Sequence, residues 1–239
     1  MRTIRPTPDG HNKKGTAIDT NPTEDATPVA IPTDLTCAIA RLDQWHAAIV
    51  AAAAHASTEA SKPQLAGIRF DATPDGFQMM STDSFGLARV DVPTTHPATI
   101  AATIPAKELA AAIAAAMKTH GRKTAPDVTG TLIATADAWT FRTDATSTSG
   151  RAIAHEFPNV TTFTAALDGP AEDAQPYAPT GWAADRLAHW IGTAKKTGAE
   201  VIEWHHWQSP MKPAAIRYRI GTGREIAVAV LMMPNRITR

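Results

Sequence analysis

The chain has 239 residues, 44% of them hydrophobic, which is enough for one large globular domain or two small ones. Its 23 basic and 23 acidic side chains cancel, which argues against a simple high-affinity nucleic-acid binder, because such proteins are usually basic. The one cysteine, Cys37, excludes an intramolecular disulfide and fits a reducing cytoplasm, and no apolar run is long enough to span a bilayer.

The first 30 residues are mostly Thr, Pro, Asp, Asn and Lys, which predicts a disordered tail over 1–30. Order begins near Ile31. Asp34 or Thr36 can cap a helix that continues to about Ser57. This helix would carry one apolar stripe, made of Ile39, Leu42, Trp45 or His46, Ile49 and Ala53.

The stretch 65–92 reads as three short strands separated by turns. Apolar or small residues alternate with polar ones over 67–70 and 87–92, which is typical of half-buried strands, and residues 77–80 form the strand between them. Asp75-Gly76 is a strong turn dipeptide, and residues 82–84 form a second turn.

The pattern of a helix followed by strands occurs twice more. Pro105 begins a second helix that ends at Gly121, and strands are expected over 130–136, 139–143 and 152–157, with a turn at 146–150. Residues 169–179 are rich in Pro, Asp, Glu and Ala and read as a linker, which is assigned to 161–176. Thr180 caps a third helix, which ends at Gly198, and the strands that follow cover 200–207, 214–220 and 225–233.

The helix-and-strands unit therefore repeats over 31–97, 98–160 and 177–239. Because such a unit buries its apolar face only against a neighbour, the repeat predicts an α+β protein with antiparallel sheets on one side and helices on the other. Residues 31–160 would form a complete domain of two units, and residues 177–239 would form half a domain.

Several motifs, in this order along the chain, resemble the DNA sliding clamp of bacteria, which is the beta subunit of the replicative polymerase. Residues 65–70 read LAGIRF and residues 80–88 read MSTDSFGLA, as in the middle domain of that family. IPAKEL at 104–109, EFPN at 156–159, residues 182–187 and VLMMPNR at 230–236 resemble later family motifs.

The sequence departs from the family pattern at three positions in these motifs. Ser84 stands where the family has Gly, Gly86 where it has Arg, and Asn235 where it has Met. A family chain holds three domains of two units each, whereas this sequence shows three units. Divergence of the kind found in phage-encoded versions would fit.

The resemblance implies a clamp fold in which helices line a hole and sheets lie outside. Such a homo-oligomeric ring encircles duplex DNA without sequence preference and without a cofactor, and few phosphate contacts suit a ring that slides. Basic residues at helix ends could contact DNA, although cations are also favoured there by the helix dipole. They are Lys118, Arg122, Lys123, Lys195 and Lys196.

The resemblance also implies a hydrophobic pocket for short peptides of the replicative polymerase and the clamp loader. Ordinary packing inside a sheet remains the alternative for Leu87 and Leu231. By motif match, the lining would be Thr82, Phe85, Leu87, Leu231, Met233 and Pro234.

Two other functions stay open. A clamp-shaped adaptor or decoy could bind loader or polymerase peptides without encircling DNA. An enzyme is less favoured, because the histidines show no metal-ligand spacing such as HExxH, and His205 and His206 would point to opposite faces of one strand. Gly221-Thr222-Gly223 lacks the GxxxxGK[ST] pattern of a phosphate loop.

Overall fold

The structure is a computed structural model that describes residues 36–161, 164, 167, 184–205 and 214–233. These residues belong to one unit of the chain, Pro32–Arg239. The predicted tail over 1–30 and most of the predicted linker over 161–176 lie outside the described residues.

Three blocks of similar element order follow one another. The first block, 36–93, holds β1 (Thr36–Arg41), α1 (Leu42–Ala53), β2 (Gly67–Thr73), β3 (Gly76–Thr82) and β4 (Gly86–Pro93). The second block, 101–151, holds β5 (Ala101–Pro105), α2 (Ala106–His120), β6 (Thr129–Ala134), β7 (Ala138–Arg142) and β8 (Ser147–Arg151). The third block, 184–232, holds α3 (Ala184–Lys196), β9 (Ile202–His205), β10 (Ala214–Ile220) and β11 (Ile226–Met232).

The strands form two antiparallel sheets that mix the blocks. One sheet has the order β1-β6-β7-β8, and the other has the order β5-β2-β3-β4-β11-β10-β9. The third block therefore extends the sheet of the first block through pairing of β4 with β11.

One apolar core joins the helices to the inner faces of both sheets. Trp45 of α1 is fully buried, stacks on Phe77 with 4.8 Å between ring centroids, and donates from Nε1 to the carbonyl oxygen of Gly130 at 2.9 Å. The same core includes Leu109 of α2 and Trp190 of α3. The helices therefore pack on the inner faces of the sheets, which confirms the predicted α+β class with helices on one side.

The prediction that a helix starts at Asp34 or Thr36 is wrong. Residues 36–41 form β1, which pairs along its whole length with β6, and the helix begins only at Leu42. The Arg41 amide donates to Gln44 Oε1 at 3.2 Å, which caps the helix at that point. Ile39 matched the helical spacing by chance, and cross-strand pairing decides its structure.

The strand predicted over 152–157 and the turn predicted over 146–150 are also wrong. The strand is Ser147–Arg151, and it pairs with β7. Its run of Ser, Thr and Gly reads as a turn, yet Gly150 is needed in the strand, since a Cβ there would lie 2.7 Å from the Trp139 ring.

Within the described residues, no helix combines the length and the apolar character that crossing a membrane requires.

Candidate functional site

A cavity of about 440 Å³ opens beside the start of β4 and the end of β11. Antiparallel pairing places Leu87 directly opposite Leu231, so the two motifs from distant parts of the chain meet here. The lining residues come from four segments of the chain: Lys62, Gln64 and Leu65; Thr82, Ser84, Phe85, Gly86 and Leu87; Pro158, Asn159 and Val160; Leu231 and Met233.

A tight turn fixes one side of the cavity. Asp83 Oδ1 accepts hydrogen bonds from the amides of Phe85 and Gly86, both at 2.9 Å. Thr82 Oγ1 donates to the Gly86 carbonyl oxygen at 2.7 Å, and Ser84 adopts a left-handed backbone with φ of 79°. Asp and Thr side chains stabilise such turns locally, as Asp83 and Thr82 do here, so the sequence itself presents the Phe85 ring at the surface.

The floor of the cavity is buried and its rim is exposed. Leu87 and Leu231 belong to a small apolar cluster with Ala215, Ala229 and Leu167. In contrast, 49% of Phe85 and 44% of Met233 is exposed, and these are large apolar side chains. An apolar floor with an adaptable aromatic and methionine rim suits one or two hydrophobic anchors of a peptide.

Arg186 of α3 covers one face of the Phe85 ring. Its Cζ lies 3.9 Å from the ring centroid, and its Nη1 lies 3.5 Å from Asp83 Oδ2. The guanidinium therefore links the third block to the turn of the first block, and it places a positive charge beside the exposed Phe85 ring of the cavity.

Gly86 leaves room for an aromatic ring behind the turn. A Cβ at this position would lie 3.0 Å from Trp190 and 3.2 Å from the carbonyl oxygen of Leu231. The family pattern has Arg here, and the structure explains the departure, because Trp190 fills the space where a side chain would pass.

A buried histidine lies close behind the same turn, where α1 meets α3. His55 is 4% exposed, and its ring centroid lies 5.8 Å from that of His189 and 6.0 Å from that of Trp190. Burial lowers the pKa of His55 to about 4, with His189 acting in the same direction and Asp83 in the opposite one. The neutral form of His55 therefore belongs to the native packing of these two helices.

The structure places the predicted DNA-contacting cations at two helix ends. Lys118 is exposed in the last turn of α2, and Arg122 and Lys123 are exposed just after it. Lys195 and Lys196 are exposed in the last turn of α3. All five are accessible to solvent, and none of them lines the cavity.

The cavity brings together most of the residues that the motifs assigned to peptide binding. Thr82, Phe85, Leu87, Leu231 and Met233 line it, and Pro234 lies outside the described residues. Sequence reasoning did not place the segments 62–65 and 158–160 in the lining. The EFPN motif at 156–159 was the available signal for the second of these segments.

Groups of three or more His, Cys, Asp or Glu placed to hold a metal ion are absent from the described ranges. No protein-family model and no curated protein matches the chain. Solved structures do match. The DNA polymerase sliding clamp from Caulobacter crescentus superposes with a TM-score of 0.64 at 17% identity, over 89% of this chain and 69% of that chain.

The chain has the fold of a DNA sliding clamp. The Bacillus subtilis sliding clamp gives a TM-score of 0.62 at 14% identity, over 84% of this chain and 64% of that chain. The sliding clamp of Bartonella birtlesii, solved with bound griselimycin, gives 0.58 at 14% identity, over 88% and 68%. The resemblance to bacterial sliding clamps is thus confirmed for the fold, and the chain spans about two thirds of the clamps that it matches.

Proposed function

We propose that this protein is a DNA sliding clamp, a non-enzymatic processivity factor that encircles duplex DNA in the cytoplasm and tethers replication proteins. One observation carries the proposal. In a chain with the sliding-clamp fold, residues assigned to peptide binding by motif alone surround a single cavity, although Phe85 and Met233 lie far apart in sequence.

The proposed partners are short peptides of a replicative polymerase and a clamp loader, with apolar side chains as anchors. Leu87 and Leu231 would form the floor of the site, and Phe85 and Met233 would close over the anchor. Fully burying one large apolar side chain stabilises a complex by roughly 1.5–3 kcal/mol. Several such contacts would suffice for a reversible tether.

The charge distribution supports loose contact with DNA. The chain is formally neutral, and Lys118, Arg122, Lys123, Lys195 and Lys196 are exposed at the ends of α2 and α3. Binding that depends on many phosphate contacts is strong and falls steeply with salt. A few cations at helix ends would instead orient the duplex while a closed ring retains it.

Retention on circular and linearised DNA tests the encircling function. The protein is loaded by a bacterial clamp loader onto a nicked plasmid, and the plasmid is then cut once. We expect the protein to stay on the circle at high salt and to leave the linear form over its free ends. Equal retention on the two forms would overturn the encircling function.

Variants of the helix-end cations sharpen that test. We expect Lys195→Ala with Lys196→Ala to weaken loading and to reduce the salt dependence of DNA binding by about one phosphate contact for each lysine. Loading and salt dependence equal to those of the parent protein would remove both lysines from the DNA surface.

Peptide binding has a separate test. Anisotropy of a labelled polymerase or loader peptide should show affinity at least tenfold weaker for Phe85→Ala, about 1.4 kcal/mol, because the exposed ring closes the site. Val201→Ala is a matched control, since Val201 is 65% exposed and does not line the cavity. Equal affinity for both variants would contradict the assignment of the pocket.

The same cavity supports a second function, a clamp-shaped adaptor that binds these peptides without a ring. The third block favours this alternative, because its described residues form one helix and three strands, whereas the described residues of the first two blocks together form two helices and eight strands. Peptide binding without retention on circular DNA would select it. The predicted division of the chain is compatible with both functions. It consists of a domain at 31–160, a linker at 161–176 and a half domain at 177–239.

A further inference from the structure

A second cavity, of about 600 Å³, lies on the outer face of the seven-stranded sheet, away from α1 and α3. Its floor is β11, where Ala227 and Ala229 point outward while Val228 packs in the core. Ala229 is paired with Arg89 of β4 on one side and with Arg217 of β10 on the other. Since neighbouring strands lie about 4.8 Å apart, these two walls stand roughly 10 Å apart and border a groove as wide as one extended chain.

The strands of this sheet differ in how they balance their outward arginines. On β2, Arg69 forms an ion pair with Asp71 at 2.7 Å, and β4 has the same Arg-x-Asp pattern at 89–91, with an ion pair of 3.2 Å. On β10 the same spacing holds Arg217 and Arg219, so a second cation stands where the other two strands have a carboxylate. The β10 wall of the groove therefore carries positive charge that its own strand does not neutralise.

Arg219 lies between apolar side chains in this wall. Its partner across the β10–β11 pair is Ala227, and continuing the register of β9 with β10 places Val201 on its other side. Arg219 is exposed, as is Val201, and both line the groove. Arg219 Nη1 donates a long hydrogen bond, of 3.5 Å, to the carbonyl oxygen of Arg224. Because a guanidinium has five N–H donors in a planar fork, Arg219 keeps donors for a carboxylate of another molecule.

The outer face already binds one piece of polypeptide at the end of the groove. Arg217 Nη2 donates to the carbonyl oxygen of Leu167. The Leu167 side chain is buried against Ala215 and Ala229, on the same face of the sheet. The arginines of β10 are therefore placed to hold oxygen atoms of a chain that lies over β11.

We propose that this groove is a docking site for a partner protein, which binds it through an extended segment with acidic residues at alternate positions. Arg217 and Arg219 lie on the same face of β10, about 6.8 Å apart along the strand. Alternate side chains of an extended peptide have the same spacing, so each of two carboxylates meets one guanidinium in a charge-assisted hydrogen bond. The groove shares no described lining residue with the peptide cavity, so this inference goes beyond the proposed function.

Carboxylates along the groove favour a protein over a nucleic acid as the partner. Asp91, Glu200 and Glu203 line it together with the arginines. A strand of nucleic acid carries a phosphate at every nucleotide, so some of its charges would lie against these carboxylates. A peptide can instead place its acidic side chains opposite Arg217 and Arg219 and direct backbone N–H groups toward the carboxylates.

Fluorescence anisotropy tests the docking site with the full chain and a short labelled peptide in which Glu and Thr alternate. We expect binding that weakens as salt is added, because salt screens exposed charges. Arg219→Ala should weaken binding at least about tenfold, and Arg219→Glu should weaken it further, because it places like charges together. Arg142→Glu is the matched control, since Arg142 is exposed on β7 of the other sheet and its replacement changes the net charge equally. Circular dichroism confirms that each variant is folded.

Three results would overturn the proposal. The first is a parent protein that does not bind the alternating peptide, or that binds it no better than Arg219→Glu does. The second is equal affinity for a peptide of the same composition with its Glu residues in one block. The third is displacement of the peptide by single-stranded oligothymidylate of equal charge, which would assign the groove to nucleic acid. Phe85→Ala should leave this binding unchanged, so failure of the groove is distinguishable from failure of the peptide cavity.

Discussion

All three blocks are built from helices and strands of the same kinds, but they bury their apolar side chains to different extents. The first and second blocks, which pair with each other, bury them more completely than the third block does. Within the first block, Trp45 stacks on Phe77 with 4.8 Å between the ring centroids, and it meets Phe141 of the second block edge to face at 5.6 Å. In the third block, Trp190 is buried but Ile191 and Trp204 are nearly half exposed. The comparison teaches that the described helix and strands of the third block leave part of their apolar surface exposed, whereas the paired blocks bury theirs.

The contacts of the third block explain why it is ordered at all. It is attached to the first block by the hydrogen-bonded pairing of β4 with β11 and by Trp190, which lies against Gly86. The cavity proposed to bind peptides and His55 also lie at that seam. The molecule therefore combines two blocks that exchange strands, a third block attached to the first, and a candidate site at the seam between them.

The largest effect should come from the centre of the paired blocks. Trp45→Ala should lower the free energy of unfolding by about 3–5 kcal/mol, because it removes a fully buried ring and its hydrogen bond to Gly130. Ile191→Ala in the third block should cost less than about 1 kcal/mol, since nearly half of that side chain is already exposed. Urea unfolding monitored by circular dichroism measures the free energy of unfolding of both variants, at a protein concentration where the oligomeric state is known.

Similar losses for these two variants would break the comparison. They would mean that the third block encloses its core as completely as the paired blocks do.

The second effect is an acid-dependent loss of stability at the seam. His55 has a pKa of about 4 in the folded protein and about 6.5 in the unfolded chain. The unfolded state therefore binds more protons in this range, and stability that is fully present above pH 6.5 is lost as the pH falls toward 4. The full loss at this site, reached once the pH is below 4, is on the order of 3 kcal/mol.

Because other groups also titrate, the test compares two proteins. His55→Phe removes the titrating ring and keeps an aromatic side chain beside Trp190. We expect the parent to lose more stability than this variant between about pH 7 and pH 4. An equal loss in both proteins would show that protonation of His55 does not oppose the packing of α1 on α3.

Local patterns predicted the interior of the first block well. Alternation of apolar residues and the Asp75-Gly76 turn gave the meander of β2, β3 and β4, and Pro105 marked the start of α2 to within one residue. These signals work because each depends on neighbours in sequence. Residues 36–41 carry no such local signal, because their conformation depends on β6, about ninety residues later in the chain.

The candidate site shows the same division between local and distant information. Family motifs named Thr82, Phe85 and Leu231, and the structure places all three around one cavity. They did not name Arg186 as a neighbour of Phe85. That contact depends on how α3 docks across the seam, and no spacing within the sequence encodes it.

The smallest effect should come from Arg186, whose guanidinium joins the third block to the turn at the cavity. Its ion pair with Asp83 is long, at 3.5 Å, and both side chains are about one third exposed, so solvent screens most of the attraction. The contact with the Phe85 ring adds about 0.5–1 kcal/mol at such an exposed site. Arg186→Ala should therefore lower Tm by only a few degrees.

The stacked geometry, rather than charge alone, should account for this loss. Arg186→Lys keeps the charge but lacks a planar group to lie on the ring, so its Tm should fall almost as far as that of Arg186→Ala. If Arg186→Lys instead matches the parent protein, the ion pair with Asp83 carries the contact. A loss of several kcal/mol in either variant would mean that the third block depends on this one side chain, and the seam would then be weaker than its β4–β11 ladder implies.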